Sequence, residues 1–183
     1  MKQKFRILFS IIGLILLDQS IKIIIAGRFM DFTKDIIKGM VSFHPIINTH
    51  YSWVNSLFDM GISWTVHVVF NILVILLSVL IFLYVRRRNP GDPYVFWLFT
   101  FLFAGMICSL TDKLFWGGSL DYIWLKGFFI FDLKDVYLTV FEVLMIIAVI
   151  VNYKGLRKIK TGQALIELCG FLKAGIHGKQ GRG

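Results

Sequence analysis

Long apolar runs alternate with shorter polar segments along the chain, and this pattern predicts a small helical membrane protein. Apolar residues dominate four stretches, at 7–26, 64–85, 94–110 and 136–153. A helix needs about 20 apolar residues to cross the hydrocarbon core of a bilayer. Residues 27–63 instead mix Phe, Ile and Trp with polar residues, which favours short strands lying on the membrane surface. We predict an all-α membrane protein with four transmembrane helices and a small β-containing platform between helices 1 and 2.

The composition agrees with a membrane protein, and the positions of the basic residues predict how it is oriented in the membrane. Hydrophobic residues make up 57% of the chain, the mean hydropathy is +0.73 and the net charge is +9. Basic residues cluster beside the apolar runs, at the N-terminus, at 86–88 and from 154 onward. This placement is typical of cytoplasmic loops rather than of nucleic-acid binding. We therefore expect cytoplasmic N- and C-termini, no nucleic-acid partner, a membrane domain at 1–155, and a basic, partly disordered cytoplasmic tail at 156–183.

Acidic residues concentrate between the third and fourth apolar runs, at Asp112, Asp121, Asp132 and Asp135. Carboxylates at a membrane boundary are costly unless they are paired, solvated or used. Two carboxyl groups that share a site cannot both ionise cheaply, so one keeps a proton. The ionised group can then activate water while the protonated group polarises a carbonyl. Asp121 and Asp135 are our candidates for such a pair at the outer face, and the plainer alternative is that these acids are merely solvated.

Other polar residues inside or beside the apolar runs have structural alternatives. Asp18 and Lys22 are four residues apart on one helix face, which favours a structural ion pair that could still shape a substrate groove. Gln19 is expected to hydrogen-bond a neighbouring helix. Asn48 either holds an extended peptide backbone or forms a turn. The histidines and the two cysteines have no metal-ligand spacing, so we expect neither a metal nor a cofactor.

Five short segments, taken in order, resemble the motifs of the lipoprotein signal peptidase family, also called signal peptidase II. They are LDQSIK at 17–22, INTHYSW at 47–53, AGMICSLTDK at 104–113, LDY at 120–122 and FDLKD at 131–135. The resemblance covers about residues 5–155, and it implies that Asp121 and Asp135 are the catalytic aspartates. It further implies a substrate-binding or supporting role for Asp18, Gln19, Lys22, Asn48, Ser109, Asp112, Lys113 and Asp132.

Several positions depart from the family pattern, so the chain resembles a divergent member. The substitutions are His50 for Gly, Cys108 and Ser109 for Gly-Asn, Lys113 for Arg, Asp132 for Asn, and Lys134 for Ala. A lysine cannot supply the planar, bidentate donors of an arginine. Charged residues at 132 and 134 would also change the titration of a carboxyl pair at 121 and 135. From the sequence, Asp112 with Lys113 and Asp132 with Lys134 look like local charge balance.

The resemblance implies an aspartic-type endopeptidase that cleaves the signal peptide of prolipoproteins before a diacylglyceryl-modified Cys. Its partners would be these prolipoproteins and membrane lipid, no cofactor is implied, and we expect a monomer in the bacterial cell membrane. A first alternative is a non-catalytic relative that binds prolipoprotein or lipid, in which Asp121→Asn would leave function intact. A second is a small transporter or a subunit of a membrane complex, which would need a continuous polar stripe through the helices.

Overall fold

Four long helices account for most of the computed structural model, which describes residues 2–51, 55 and 58–151. They are α1 (Lys2–Arg28), α2 (Trp64–Arg88), α3 (Pro93–Thr111) and α4 (Leu133–Ile150). By length and composition, α1, α2 and α3 with the turn that follows it are able to cross a membrane. The 18-residue α4 is not among these candidate spans. The predicted fourth span ends at Tyr153, outside the described residues, and it stays a prediction.

Local sequence signals explain where α3 begins. Asp92 is the N-cap residue, and its side chain accepts a hydrogen bond from the Tyr94 backbone N–H at 2.8 Å. Pro93 occupies the first helical position, where a missing N–H costs nothing. Gly91 precedes the cap and has a φ of +82°, a left-handed backbone conformation that glycine adopts without strain. The short loop after α2 is therefore followed at once by an apolar helix.

The platform is an antiparallel sheet of four strands, in the order β1-β2-β3-β4. β1 (Lys34–Ile37) and β2 (Val41–Asn48) lie between α1 and α2, where the sequence predicts strands. β3 (Ser119–Leu125) and β4 (Phe129–Phe131) come from the acidic segment between α3 and α4. The platform predicted between helices 1 and 2 is thus present, and the second connection supplies the other half of the sheet, which the sequence did not predict. The β2–β3 pairing joins the two segments.

Helix α3 lies at the centre of the helical part and packs against α1, α2 and α4. Its contact with α4 is close at Gly105, where an added Cβ would lie 2.6 Å from Leu138 Cδ2. Large apolar side chains on α1 and α2 remain exposed, as expected for surfaces that face lipid; Phe9, Phe70 and Leu73 are 69%, 65% and 58% exposed. This packing brings the C-terminal end of α3 and the N-terminal end of α4 beneath the sheet.

Candidate active site

A buried ion network ties α1 to the two ends of the acidic segment. It consists of Asp18 and Lys22 on α1, Asp112 after α3, and Asp132 before α4. The Lys22 Nζ atom lies 3.0 Å from Asp18 Oδ2, 2.6 Å from Asp112 Oδ2 and 2.7 Å from Asp132 Oδ2. All four side chains are 0% exposed. The predicted Asp18–Lys22 ion pair is therefore present, and Lys22 also binds two aspartates that are distant in sequence.

Gln19 extends this buried network to the chain that follows α3. Its Nε2 atom donates to Asp112 Oδ1 at 3.1 Å, and its Oε1 atom accepts from Trp116 Nε1 at 3.0 Å. The expected contact of Gln19 with a neighbouring helix is thus made through a π-helical turn, Asp112–Trp116. This turn ends at Gly117, whose φ of +65° is the left-handed conformation that glycine adopts without strain.

Lys113 points away from the acid beside it. Its Nζ atom donates to Ser109 Oγ at 2.7 Å and to the Ser109 backbone carbonyl at 3.2 Å. Ser109 Oγ also accepts from Asn71 Nδ2 on α2 at 3.2 Å. Asp112 instead forms ion pairs with Lys22 and, at 3.3 Å, with Lys134. The sequence suggested local charge balance between Asp112 and Lys113, and the structure shows that the direct ion pairs of Asp112 are with Lys22 and Lys134.

Asp121 and Asp135, which we call the carboxyl pair, are brought together from β3 and the first turn of α4. Along with Asp132, each offers a carboxylate oxygen, and these oxygens lie within 4.8 Å of one another. The absence of a side chain at Gly118 lets β2 lie close to the start of β3, because a Cβ there would lie 2.7 Å from the Asn48 carbonyl oxygen. In the resulting β2–β3 register, Asn48 lies opposite Ser119 and Ile46 opposite Asp121.

Three donors surround the carboxylate of Asp121, which is 4% exposed. Ser119 Oγ donates to Oδ1 at 2.5 Å, Lys134 Nζ lies 3.5 Å from Oδ1, and Asn48 Nδ2 donates to Oδ2 at 3.3 Å. Burial raises the pKa of Asp121 above its ordinary value, although the Lys134 ammonium acts in the opposite direction. Asn48 also forms a turn, because its Oδ1 atom accepts the His50 backbone N–H at 3.0 Å. Asn48 therefore forms the turn, and its role in holding an extended peptide backbone stays a prediction.

Asp135 has a different environment, since its side chain is 41% exposed. Its Oδ2 atom accepts the Asp132 backbone N–H at 3.2 Å, while Asp132 Oδ1 accepts the Asp135 backbone N–H at the same distance. These reciprocal bonds form a capping box at the start of α4. The side chain of Asp132 is buried, which alone would raise its pKa, but the ammonium groups of Lys134 and Lys22 hold that pKa below its ordinary value. The cap fixes Asp135 at the edge of the site.

Lys134 and Ser119 also belong to the site, and neither is among the site residues predicted from the sequence. Lys134 does pair with Asp132, at 2.6 Å, as the sequence suggested. Its Nζ atom also donates to Ser119 Oγ at 2.5 Å and lies 3.8 Å from Asp135 Oδ2. Lys134 adjoins Asp135 at a position where the family pattern has Ala, and this departure was the available signal. Ser119, the first residue of β3, had no comparable signal in the sequence.

The carboxylates of Asp121, Asp132 and Asp135 are close enough to reach one cation. The Lys134 ammonium already lies within 3.8 Å of an oxygen of each, so the protein supplies a positive charge at this point. An ammonium and a metal ion would compete for the same oxygens. We therefore assign no metal to the three carboxylates.

A cavity of about 1420 Å³ opens beside the carboxyl pair. Its polar lining includes both members of the pair and also Asn48, Ser109, Lys113, Ser119 and Lys134. Its apolar lining comes from the strands and from three helices, with Val66, Phe70 and Val74 on α2, Met106 on α3 and Leu138 on α4. This arrangement suits a ligand that has a polar segment beside the carboxyl groups and apolar chains along the helices.

Comparisons with known proteins identify the family. The family model for signal peptidase (SPase) II matches residues 10–151. Two solved structures of a bacterial membrane enzyme, determined by the in meso method at 2.3 Å and 1.9 Å resolution, share the fold. For the first, the TM-score is 0.61 at 20% sequence identity, covering 81% of this chain and 90% of that one. For the second, it is 0.60 at 19% identity, covering 79% and 92% respectively.

No curated protein matches the chain in the corresponding search. The match of the family model nevertheless spans α1 from residue 10 onward, the other three helices and the whole sheet, including every residue of the buried ion network and of the carboxyl pair. The chain therefore belongs to the signal peptidase II family, a family of bacterial membrane proteases with a role in lipoprotein processing.

Proposed function

We propose that the chain is an aspartic-type endopeptidase that cleaves prolipoprotein signal peptides before the diacylglyceryl-modified Cys. The observation that carries this proposal is the carboxyl pair, whose oxygens approach within 4.8 Å at the wall of the cavity. This separation suits two carboxyl groups that act on one water molecule and one carbonyl group. Family membership supports the lipoprotein signal peptidase role, and the carboxyl pair supplies a mechanism for it.

The proposed reaction needs no group beyond water and the carboxyl pair. One ionised carboxylate takes a proton from water while the water oxygen bonds to the scissile carbonyl carbon. The protonated carboxyl group donates to the carbonyl oxygen, which receives the electron pair of the C=O bond. When this intermediate collapses, the C–N bond breaks and the leaving nitrogen takes up the proton that came from water. As the C=O bond re-forms, the carbonyl oxygen returns its proton to the carboxylate that donated it, so both carboxyl groups end in their starting states.

The cavity suggests how a lipid-modified peptide is held. We place the signal-peptide backbone along β2, where Asn48 presents an amide beside Asp121. The acyl chains would follow the apolar surface of α2 and α4, with Val66, Phe70 and Leu138 as contacts. The basic clusters at 86–88 and from 154 onward favour cytoplasmic termini, which would put the carboxyl pair at the outer face. A diacylated substrate keeps its scissile bond at that depth.

The proposal is tested by cleavage of a diacylated prolipoprotein by the purified protein in detergent, with wild type beside Asp121→Asn and Asp135→Asn. We expect each variant to lose about 10²–10⁴-fold in rate, because proton transfer requires both groups. Asp35→Asn is the matched control, since Asp35 lies on the same sheet but binds Lys126 at 2.6 Å, away from the cavity. Full cleavage by Asp121→Asn would refute the proposed chemistry.

One observation favours the alternative of a non-catalytic relative. Lys134 Nζ lies 3.5 Å from Asp121 and 3.8 Å from Asp135, and a cation there changes the proton balance of the carboxyl pair. If this change abolished the chemistry, wild type would bind diacylated prolipoprotein without cutting it. Measuring binding and cleavage on the same substrate therefore separates the two functions, and the endopeptidase predicts both.

A further inference from the structure

Lys134 is a buried cation that bridges the buried ion network and the carboxyl pair. Its Nζ atom has carboxylate or hydroxyl oxygens from three parts of the fold within 4 Å. The partners are Ser119 Oγ at 2.5 Å, Asp132 Oδ2 at 2.6 Å, Asp112 Oδ2 at 3.3 Å, Asp121 Oδ1 at 3.5 Å and Asp135 Oδ2 at 3.8 Å. Lys134 is 6% exposed and lines the cavity. An ammonium in this environment stabilises whichever nearby carboxylates are ionised.

Asp132 has an ammonium partner besides Lys134. Asp132 Oδ2 already lies 2.7 Å from Lys22 Nζ, and Asp132 Oδ1 accepts the Asp135 backbone N–H. The Lys22 Nζ atom also lies 2.6 Å from Asp112 Oδ2. The three carboxylates of the network thus share Lys22, and Lys134 adds a second positive charge that faces both the network and the carboxyl pair.

The contacts of Lys134 distinguish the two members of the carboxyl pair. Lys134 donates to Ser119 Oγ, which leaves the hydroxyl hydrogen of Ser119 for a carboxylate. Because Asp121 Oδ1 lies at 2.5 Å and Asp112 Oδ2 at 3.3 Å, that hydrogen is directed to Asp121. Asn48 supplies a donor to the second oxygen of Asp121. Asp135 Oδ2 lies 3.8 Å from the same ammonium, but Asp135 accepts only a backbone N–H, whereas two side chains donate to Asp121. Donors that converge on one carboxylate favour its ionised form.

We propose that Lys134, acting through Ser119, is a positioning residue that keeps Asp121 ionised as the base and leaves the proton on Asp135 as the acid. This inference rests on the proposed function and gives the carboxyl pair fixed roles. The charged groups that surround Asp121 and Lys134 are Lys22 and Asp18 from α1, Asp112 and Lys113 from the π-helical turn, and Asp132 and Asp135 from α4. Lys134 is the cation nearest to Asp121 among the ion pairs of the described residues.

The test is the pH profile of prolipoprotein cleavage for wild type, Lys134→Met, Lys134→Arg and Ser119→Ala. An opposite charge within about 4–6 Å lowers a carboxyl pKa by about 1–3 units. In Lys134→Met the acidic limb of the profile should therefore move up by about 1–3 pH units. Lys134→Arg keeps a cation and should restore the wild-type limb, and Ser119→Ala should shift it in the same direction by a smaller amount. Lys126→Met, on the sheet away from the cavity, should leave the profile unchanged.

An acidic limb that stays in place in Lys134→Met, or that moves to lower pH, would overturn the inference. A direct titration tests it without relying on cleavage. Infrared difference spectra over the same pH range identify the carboxyl band of Asp121 by its loss in Asp121→Asn. That band should titrate about 1–3 units higher in Lys134→Met than in wild type. If wild type cleaves nothing, the proposed function fails, and the infrared titration still decides whether Lys134 keeps Asp121 ionised.

Discussion

Two groups of aspartates lie side by side in this protein, and their partners differ. In the buried ion network, Asp18, Asp112 and Asp132 share the ammonium of Lys22 and have no exposed surface. In the carboxyl pair, Asp121 and Asp135 face a cavity, and Asp135 is 41% exposed. The carboxylates of the network thus pair with buried ammonium groups, those of Lys22 and, for Asp112 and Asp132, Lys134, while the pair keeps oxygens available to a ligand. Aspartates close together in space can therefore hold a fold together or carry out chemistry, according to how completely they are paired.

The largest effect on folding is expected when Lys22 is replaced, because it is the shared partner of the network. Lys22→Met leaves three buried carboxylates with one fewer ammonium, and breaking a buried ion pair costs about 3–5 kcal/mol. The free energy of unfolding in detergent micelles, followed by circular dichroism, measures the loss. Lys126→Met is the control, since that lysine forms a partly exposed ion pair with Asp35. Equal stability of Lys22→Met and wild type would show that the network is not what holds α1, α3 and α4 together.

A smaller effect is expected from a change beside the carboxyl pair. Gly118→Ala adds a Cβ that would lie 2.7 Å from the Asn48 carbonyl oxygen, so β2 and β3 must separate there. Overpacking of this kind costs about 1–3 kcal/mol, and it should also slow cleavage by moving Asn48 away from Asp121. Gly13→Ala is the matched control, because no atom lies within 4 Å of a Cβ at that position. If both variants cleave at the wild-type rate, the Asn48 contact is dispensable.

The smallest expected effect is on the pH dependence of stability, because Asp132 in the network and Asp121 in the pair should contribute with opposite sign. The pKa of Asp132 is lowered in the folded protein, so its stabilising contribution is present above its ordinary pKa and is lost as the pH falls through the folded value. The pKa of Asp121 is raised, so its contribution is present below its ordinary pKa and is lost as the pH rises through the folded value.

The free energy of unfolding, measured between about pH 3 and about pH 8, tests these two opposite pH dependences. Relative to wild type, Asp132→Asn should become progressively less stable as the pH rises, because wild type gains the ionised, paired Asp132. Asp121→Asn should become progressively more stable relative to wild type, because the variant buries no charge at that position. Parallel slopes for the two variants would contradict the distinction between network and pair.

The sequence predicted the helices of this protein better than its sheet. An apolar run of about 20 residues is a local signal, so α1, α2 and α3 were found within a few residues of their ends. The segment that forms β3 and β4 was recognised for its acids, and its strand pairing was missed. Strand pairing is a long-range contact, and β3 finds its partner β2 more than 70 residues earlier in the chain, as in the Asn48–Ser119 pair.

The site shows the same division between local and long-range information. The sequence by itself determined the Asp18–Lys22 pair, because helical spacing puts residues four apart on one face. Motif resemblance selected Asp121 and Asp135 as candidates. Only the tertiary structure decided that Asp112 pairs with Lys22 rather than Lys113, and that Lys134 reaches Ser119, Asp121 and Asp135. The reason is physical: the direction of a side chain depends on a π-helical turn, a helix cap and a strand register, none of which is fixed by the residues next to it.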